Sequence, residues 1–411
     1  MWSLVEQPLG ANVIGSKWVF KVKYASDGSI DRFKARLVAQ GYNQKHGIDF
    51  FDVFAPVVSY EAVRCVLSLA ASMNFEIHQA DIKTAFLNGT LEETIYMRQP
   101  PGFTLPGLEH LVCKLERSLY GLKQSPRQWN KVLDSYLKES GFTPSLCEPC
   151  IYIRGKLGNP DYAIISVFVD DLLLFSPTTD ELTKIKKSLS SRFDVTDLGE
   201  IHYFLGIEVT RDRPNRKIYL RQPKYIDETL ERFNMSDSHP APIPILPKEH
   251  LPPASELPPE SEATEIPYRH AVGCLLHLMT ATRPDISYAV NAVSQHMKSY
   301  RKIHWEAVKR ILRYLKGTCS YALCLGGTKP IRLTAFADGD CANSPDRKSI
   351  TGYFFSLGDG AFGWKSQKQS IVASSTTEAE CISLWAAAKH AEHLVCLLNE
   401  LGISQNDPIV C

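Results

Sequence analysis

No stretch of this chain is apolar for long enough to cross a bilayer, and no basic-then-apolar leader opens it. Neither a membrane span nor secretion is therefore expected. An excess of one charge is also missing: 46 Lys and Arg stand against 45 Asp and Glu, a net +1. That excludes a uniformly polybasic protein, although phosphate binding asks only for a local basic surface. A cysteine framework is lacking too. The eleven cysteines are an odd, scattered set, which fits a reduced, intracellular compartment and not a disulfide scaffold. The one CxxC, Cys147-Glu148-Pro149-Cys150, has no second pair to complete a zinc ribbon and reads as a turn before a strand. What is present is a globular composition, 44% hydrophobic and 22% charged over 411 residues, enough for two or three domains with proper cores.

The most informative stretch is Phe168-Val169-Asp170-Asp171, an acidic pair between Ala163–Val167 and Leu172–Phe175. Both flanks are β-branched or aromatic enough to be strands, which places the two Asp in the tight turn of a buried hairpin. Asp is ordinary turn chemistry. Two adjacent carboxylates beside dry strands nonetheless repel unless a cation sits between them. A second strand, Phe75–Asp81, ends in a third acid. Asp81, Asp170 and Asp171 at two strand ends suit hard, oxygen-seeking Mg²⁺ and point to a two-metal phosphoryl-transfer site.

Upstream, Lys17–Tyr24 and Arg32–Val38 alternate as two strands around an Asp27-Gly28 turn, carrying Lys17, Lys21, Lys23, Arg32, Lys34 and Arg36. Such a ribbon is either a solvated edge or a phosphate-contacting flap. Residues 59–73 are expected to be helical. Ser125 as N-cap, Pro126 as first helical residue and Gly141 as stop bracket a helix with Trp129, Val132, Leu133, Tyr136 and Leu137 on one face. The loop Tyr120–Gln124 before it either faces a phosphate or base or simply enters a core helix. Thr178–Glu181 has capping-box spacing before the face Leu182, Ile185, Leu189, Phe193, and Leu198–Val209 reads as another hairpin. Strands and helices alternate around the acids, giving an α/β, palm-like layer.

Nine of the 25 prolines fall between Pro240 and Pro267, marking a linker or an extended wrap. Three helices follow, Tyr268–His277, Pro284–Met297 and His304–Leu315. His270, Cys274 and His277 share a face best read as packing. The last segment is expected to hold strands at 331–338, 350–357 and 361–365 and a helix opened by the capping box Ser375–Glu378 and ending at Gly402. Asp338, with Asp340 beside it, and Glu380 make a second candidate metal pair. Strand-end Asp and helix-start Glu are, however, also common for reasons of solvation and the helix dipole.

Taken together, Lys17–Lys21, Lys34–Val38, Asp81–Leu87, Leu119–Trp129, Phe168–Asp171, Leu205–Val209, Asp346–Ser349 and Ser374–Glu380 resemble, in order and over nearly the whole chain, the reverse transcriptase and ribonuclease H region of copia-type LTR-retrotransposon polyproteins. The resemblance implies an α+β right-hand polymerase: fingers, palm and the start of a thumb at 1–239, a proline-rich linker at 240–267, helical thumb or connection at 268–328, and a ribonuclease-H-like domain at 329–411. It implies RNA-directed DNA synthesis from dNTPs on a primed RNA or DNA template, with two Mg²⁺ (or Mn²⁺) held by Asp81, Asp170 and Asp171. Phe86 would crowd a ribose 2′-hydroxyl. Lys34 and Arg36 would contact triphosphate or template phosphates, and Tyr120, Gly121 and Gln124 would lie near the nascent base pair. Leu205, Gly206 and Ile207 would form the primer grip. A cytoplasmic particle or the nucleus would be its location, with no membrane partner.

Two departures stand out. Phe168 replaces a usual Tyr, a tolerable loss of one hydroxyl. The ribonuclease site, Asp338 and Glu380, lacks a third acid, because Pro408–Cys411 reads as the strand after which that acid would come. Robust ribonuclease H activity is therefore not expected. Two competing readings are a catalytically silent nucleic-acid-binding remnant and a two-metal nuclease built on the same acids. The nuclease is disfavoured by the nucleotide-selecting look of Phe86 and Leu119–Trp129.

Overall fold

The computed structural model describes every residue except 25–28, 247–250, 258–265, 343, 345 and 406–411, and only the backbone of 23, 24 and 31. The Asp27-Gly28 turn and the Pro408–Cys411 strand lie outside the described residues.

A six-stranded sheet holds the acids. Its order is Val195–Glu200, Glu76–Ile82, Asp171–Ser176, Ala163–Phe168, Ile151–Arg154, Thr143–Pro144. The central strands read as near-continuous apolar runs because both faces are covered. One face buries Ile77, Leu173, Phe175 and Ile164 against helix Tyr60–Ser72. The other buries Ile82, Leu172, Leu174 and Ile165 against helices Ser125–Glu139 and Thr179–Arg192 through Trp129, Leu133, Leu137, Leu182, Ile185 and Leu189.

Several local expectations need correction. Ser125 is not an N-cap: its hydroxyl donates to the Leu119 carbonyl at 2.6 Å, anchoring the entry loop, and Gln124 stands at the cap. Leu198–Val209 is not one hairpin. Val195–Glu200 is an edge strand of the acid-bearing sheet, and Gly199 (φ +73°) marks a bulge in its pairing with Glu76–Ile82. The hairpin is Tyr203–Phe204 with Ile207–Asp212, turning at Leu205 (φ +50°) and Gly206 (φ +80°). The Thr178 cap does accept from the Glu181 N–H, at 3.3 Å. The lone CxxC is a turn in which Ser145 Oγ accepts from the Cys147 and Glu148 N–H groups.

Tyr203–Phe204, Ile207–Asp212, Lys217–Arg221 and Leu323–Gly326 form a second sheet, and Leu333–Asp340, Ile350–Leu357 and Gly360–Lys368 a third, backed by helix Thr376–Glu400. Helices Tyr268–Ala281, Ser287–Ser294 and Lys302–Gly317 share a separate core. Parts of the proline-rich segment lie over it, with Pro252 O bonded to His304 Nε2 at 2.8 Å and the Ala241 N–H to Arg313 O at 3.2 Å. His270, Cys274 and His277 are taken up by packing with Phe233, Arg232, Tyr225 and Gln222. Among the described residues no helix is long and apolar enough to cross a membrane.

Candidate active site

The structure seats Asp81 directly opposite Asp171 in antiparallel register. The turn between Phe168 and Asp171 consists of Val169 and Asp170, so Asp171 belongs to the return strand and not, as its sequence suggests, to the turn. Val169 adopts φ +58°, a strained choice for a β-branched residue. Two long-range bonds hold it there. The Trp129 indole N–H donates to Val169 O at 2.7 Å, and the Ile82 N–H donates to Asp170 O at 2.9 Å. The second bond ties the turn to the strand that carries Asp81.

Burial and crowding set the electrostatics. Asp171 is pushed up to about 6, first by burial and then by the charges of Asp170 and Asp81, against a weak bond from Gln79 Nε2 at 3.5 Å. Asp81 is raised by burial and Asp170, and lowered by Lys34, Lys83 and Arg32. Asp81 and Asp171 thus both feel Asp170, and Lys34 and Arg32 of the two-stranded ribbon act on Asp81. Oxygen-only, clustered and mutually repelling, they are a donor set for a hard divalent cation. Among the described residues, however, no three acidic, His or Cys side chains are drawn into a ready-made metal cluster.

The neighbouring expectations separate. Phe86, in a short 3₁₀ turn at Ala85–Asn88, packs edge-on to Tyr120 at 5.1 Å, and Arg36 lies over the Tyr120 ring at 5.2 Å. The Tyr120 carbonyl accepts the Ala39 N–H at 2.7 Å, fixing the ribbon to the loop. Gly121 (φ +93°) makes that contact possible, since a Cβ there would meet Ala39 O at 2.2 Å. Gln124 stands apart from this group. It is fully buried, donating to Asp49 O and Glu93 Oε2 and accepting from Gln44, so it braces the loop and has no surface for a ligand. Leu205, Gly206 and Ile207 lie on the second sheet, not among the acids.

Asp338, Asp340 and Glu380 line a different cavity of about 1140 Å³. Glu380 there accepts the Gly339 N–H at 3.1 Å, and the helix approaches so closely that a Cβ on Gly339 would meet Ala379 O at 2.6 Å.

Sequence reasoning missed Trp129 as a positioning residue, reading it only as an apolar face. Trp129→Phe keeps the packing and removes the N–H. The loss of this bond to Val169 O is expected to cost roughly 1 kcal/mol, read as a lower urea midpoint than that of the native chain.

Residues 1–247 match the reverse transcriptase (RNA-dependent DNA polymerase) family. Over its whole length the chain is 45% identical to the retrovirus-related Pol polyprotein from transposon TNT 1-94 of Nicotiana tabacum, covering 31% of that protein. It is 40% identical to that from transposon RE1 of Arabidopsis thaliana, covering 28%. The chain thus spans about a third of the length of these curated relatives. A putative transposon Ty5-1 protein of Saccharomyces cerevisiae is 33% identical over 74% of this chain and 97% of its own. A foamy viral protease–reverse transcriptase solved with double-stranded DNA aligns over 99% of this chain and 59% of its own, with a TM-score of 0.46 and 12% identity, a likeness too loose to build on.

Proposed function

The chain belongs to the reverse transcriptase family of copia-type retrotransposon Pol polyproteins, and from that premise we propose that it carries out RNA-directed DNA synthesis at Asp81, Asp170 and Asp171. The observation that carries the proposal is the pairing of Asp81 with Asp171 across adjacent strands, the Asp170 turn being bonded to Ile82. These carboxylates would hold two Mg²⁺, or Mn²⁺ in their place. What the metals supply when bound is Lewis acidity, lowering the pKa of the primer 3′-hydroxyl and neutralising charge on the dNTP α-phosphate.

The protein's own residues orient the reactants. Lys34 and Arg36, on the ribbon face turned to the acids, would bind triphosphate or template phosphate, with Arg32 and Lys83 adding to the local field. Phe86, propped edge-on by Tyr120, would leave no room for a ribose 2′-hydroxyl. Tyr120 and Gly121 would form the floor under the nascent pair, and the Leu205–Ile207 hairpin would guide the primer. RNA, DNA and dNTPs are the partners this implies. In the proposed division, residues 1–239 act as fingers, palm and thumb base, 240–267 as the wrap, 268–328 as connection and 329–411 as a ribonuclease-H-like unit. Asp338 and Glu380 are proposed to support ribonuclease H chemistry only poorly, because the pair, with Asp340 beside it, lacks the third carboxylate that the family resemblance implies. Cleavage of the RNA strand of a hybrid, abolished by Asp338→Asn, would overturn that.

The test of the main reading is extension of oligo(dT) on poly(rA) by the purified chain with Mg²⁺ and dTTP. Product lengthening with time is expected. Binding without any extension would leave a nucleic-acid-binding remnant as the better description.

A further inference from the structure

Helix Thr376–Glu400 meets the elements around the acid-bearing sheet along a seam of polar contacts. His390 Nε2 stands 2.8 Å from Glu61 Oε2, in the first turn of helix Tyr60–Ser72. Ser59, the cap of that helix, donates its hydroxyl to Glu148 Oε2 at 3.0 Å. The Leu146 N–H donates to Glu400 Oε1 at 3.2 Å. The last two bonds hold the turn Ser145–Glu148, which leads into strand Ile151–Arg154, against the seam. Within that turn the Cys147 thiol is in hydrogen-bonding reach of Cys396 and of Glu400, which sit one turn apart on the helix.

The two cysteines differ in their surroundings. Cys396 is exposed, whereas Cys147 is half-buried against the core that the helix and the sheet share. Burial first, then Glu400 and Cys396, push the Cys147 thiol up to about 11. It is therefore protonated at neutral pH and is not the group that an oxidant meets first. Glu400 keeps a buried Oε2 that accepts no hydrogen bond among the described residues, so a proton acceptor stands beside the pair. Cys150, the other half of the CxxC, is only 1% exposed and belongs to the core.

We propose that Cys147 and Cys396 are an oxidation site, at which hydrogen peroxide joins them in a disulfide that clamps helix Thr376–Glu400 to the turn before strand Ile151–Arg154. The proposal goes beyond the polymerase reading and does not rest on it. Peroxide converts the exposed Cys396 thiol to a sulfenic acid and releases one water. The Cys147 sulfur attacks that sulfur, its proton passes to Glu400, and the departing hydroxide takes the proton up as a second water. Two thiols have then given two electrons and two protons to the peroxide. Both cysteines are free in the structure, which is the reduced form, and a thiol reductant would restore it.

The test treats the native chain with a small excess of hydrogen peroxide, alkylates it, digests it without reductant and reads the peptides by mass spectrometry. A peptide pair joining Cys147 to Cys396 is expected as the main disulfide, lost on addition of dithiothreitol. In Cys147→Ser no thiol resolves the sulfenic acid, so labelling of Cys396 by dimedone should rise at least about tenfold over the native chain. Absence of the link in the native chain, equal dimedone labelling in both proteins, or Cys147 joined to Cys150 instead would overturn the proposal. So would a Cys396–Cys396 link between two copies.

Discussion

Asp171→Asn is expected to abolish templated extension, by at least about 10³-fold or about 4 kcal/mol of transition-state stabilisation, and at the same time to stabilise the fold. The two effects have one cause. Burial first, then the charges of Asp170 beside it and Asp81 opposite it, push Asp171 up to about 6, with only a 3.5 Å contact from Gln79 to favour its charge. The folded value thus lies above the unfolded one, near 3.9. A carboxyl shifted in that direction contributes stability below the unfolded pKa and loses it as pH rises through the folded one. At neutral pH the charged form is therefore a liability, worth about 1 kcal/mol after discounting for solvent screening. Asn keeps the shape and removes the charge. Urea unfolding in EDTA at pH 7.5 should show the variant more stable, and at pH 4 the gain should vanish. Equal stability at both pH values would mean that neither burial nor the neighbouring acids disfavour the Asp171 charge. Mg²⁺ affinity of the native chain should likewise weaken as pH falls through about 6, because the proton and the cation compete for the same oxygens.

The residues that made this site legible are those whose chemistry conflicts with their surroundings. Acids at the ends of dry strands need a reason, and Asp81, Asp170 and Asp171 stand in that setting in the sequence alone. Alternation along Ser16–Tyr24 and Ile30–Ala39 likewise placed the ribbon. What stayed hidden depends on partners far away in the chain. Val169 would not be chosen for a positive-φ turn position on its own propensity; the indole of Trp129, 40 residues upstream, makes the position tenable. Gln124 belongs to a loop whose pattern leaves a ligand-facing and a core-facing reading open. Its partners Gln44, Asp49 and Glu93 come from two other segments. Leu198–Val209 reads as one hairpin, yet Gly199 is a bulge in an edge strand, which only pairing with the Asp81 strand reveals. Local pattern carries local structure, and a site assembled from five segments exceeds it.

Arg64 is the extreme case of that hidden class, and its replacement should have the largest effect on stability. It lies in the middle of helix Tyr60–Ser72, only 5% exposed. Its Nε donates to Phe362 O at 2.5 Å, and Nη1 donates to Thr280 O at 2.6 Å and Ala281 O at 2.9 Å. The guanidinium also lies 4.0 Å from the centre of the Trp364 ring. One side chain therefore joins three parts of the molecule: the helix beneath the acid-bearing sheet, the end of helix Tyr268–Ala281, and the third sheet. Two of its acceptors are last-turn carbonyls, where a cation is favoured by the helix dipole. Arg64→Met fills the same space but takes the Arg64 donor from two buried carbonyls and a partly buried one, a loss of roughly 3–5 kcal/mol. Arg64→Lys restores the charge but not the fork, and should recover less than half. The expected signature is selective. Amide exchange in Tyr60–Ser72 and Gly360–Lys368 should accelerate together, while helix Lys302–Gly317 of the separate helical core stays protected. If the methionine variant unfolds at the native urea midpoint, the three carbonyls must find other donors, and Arg64 is not what couples helix Tyr60–Ser72 to the rest.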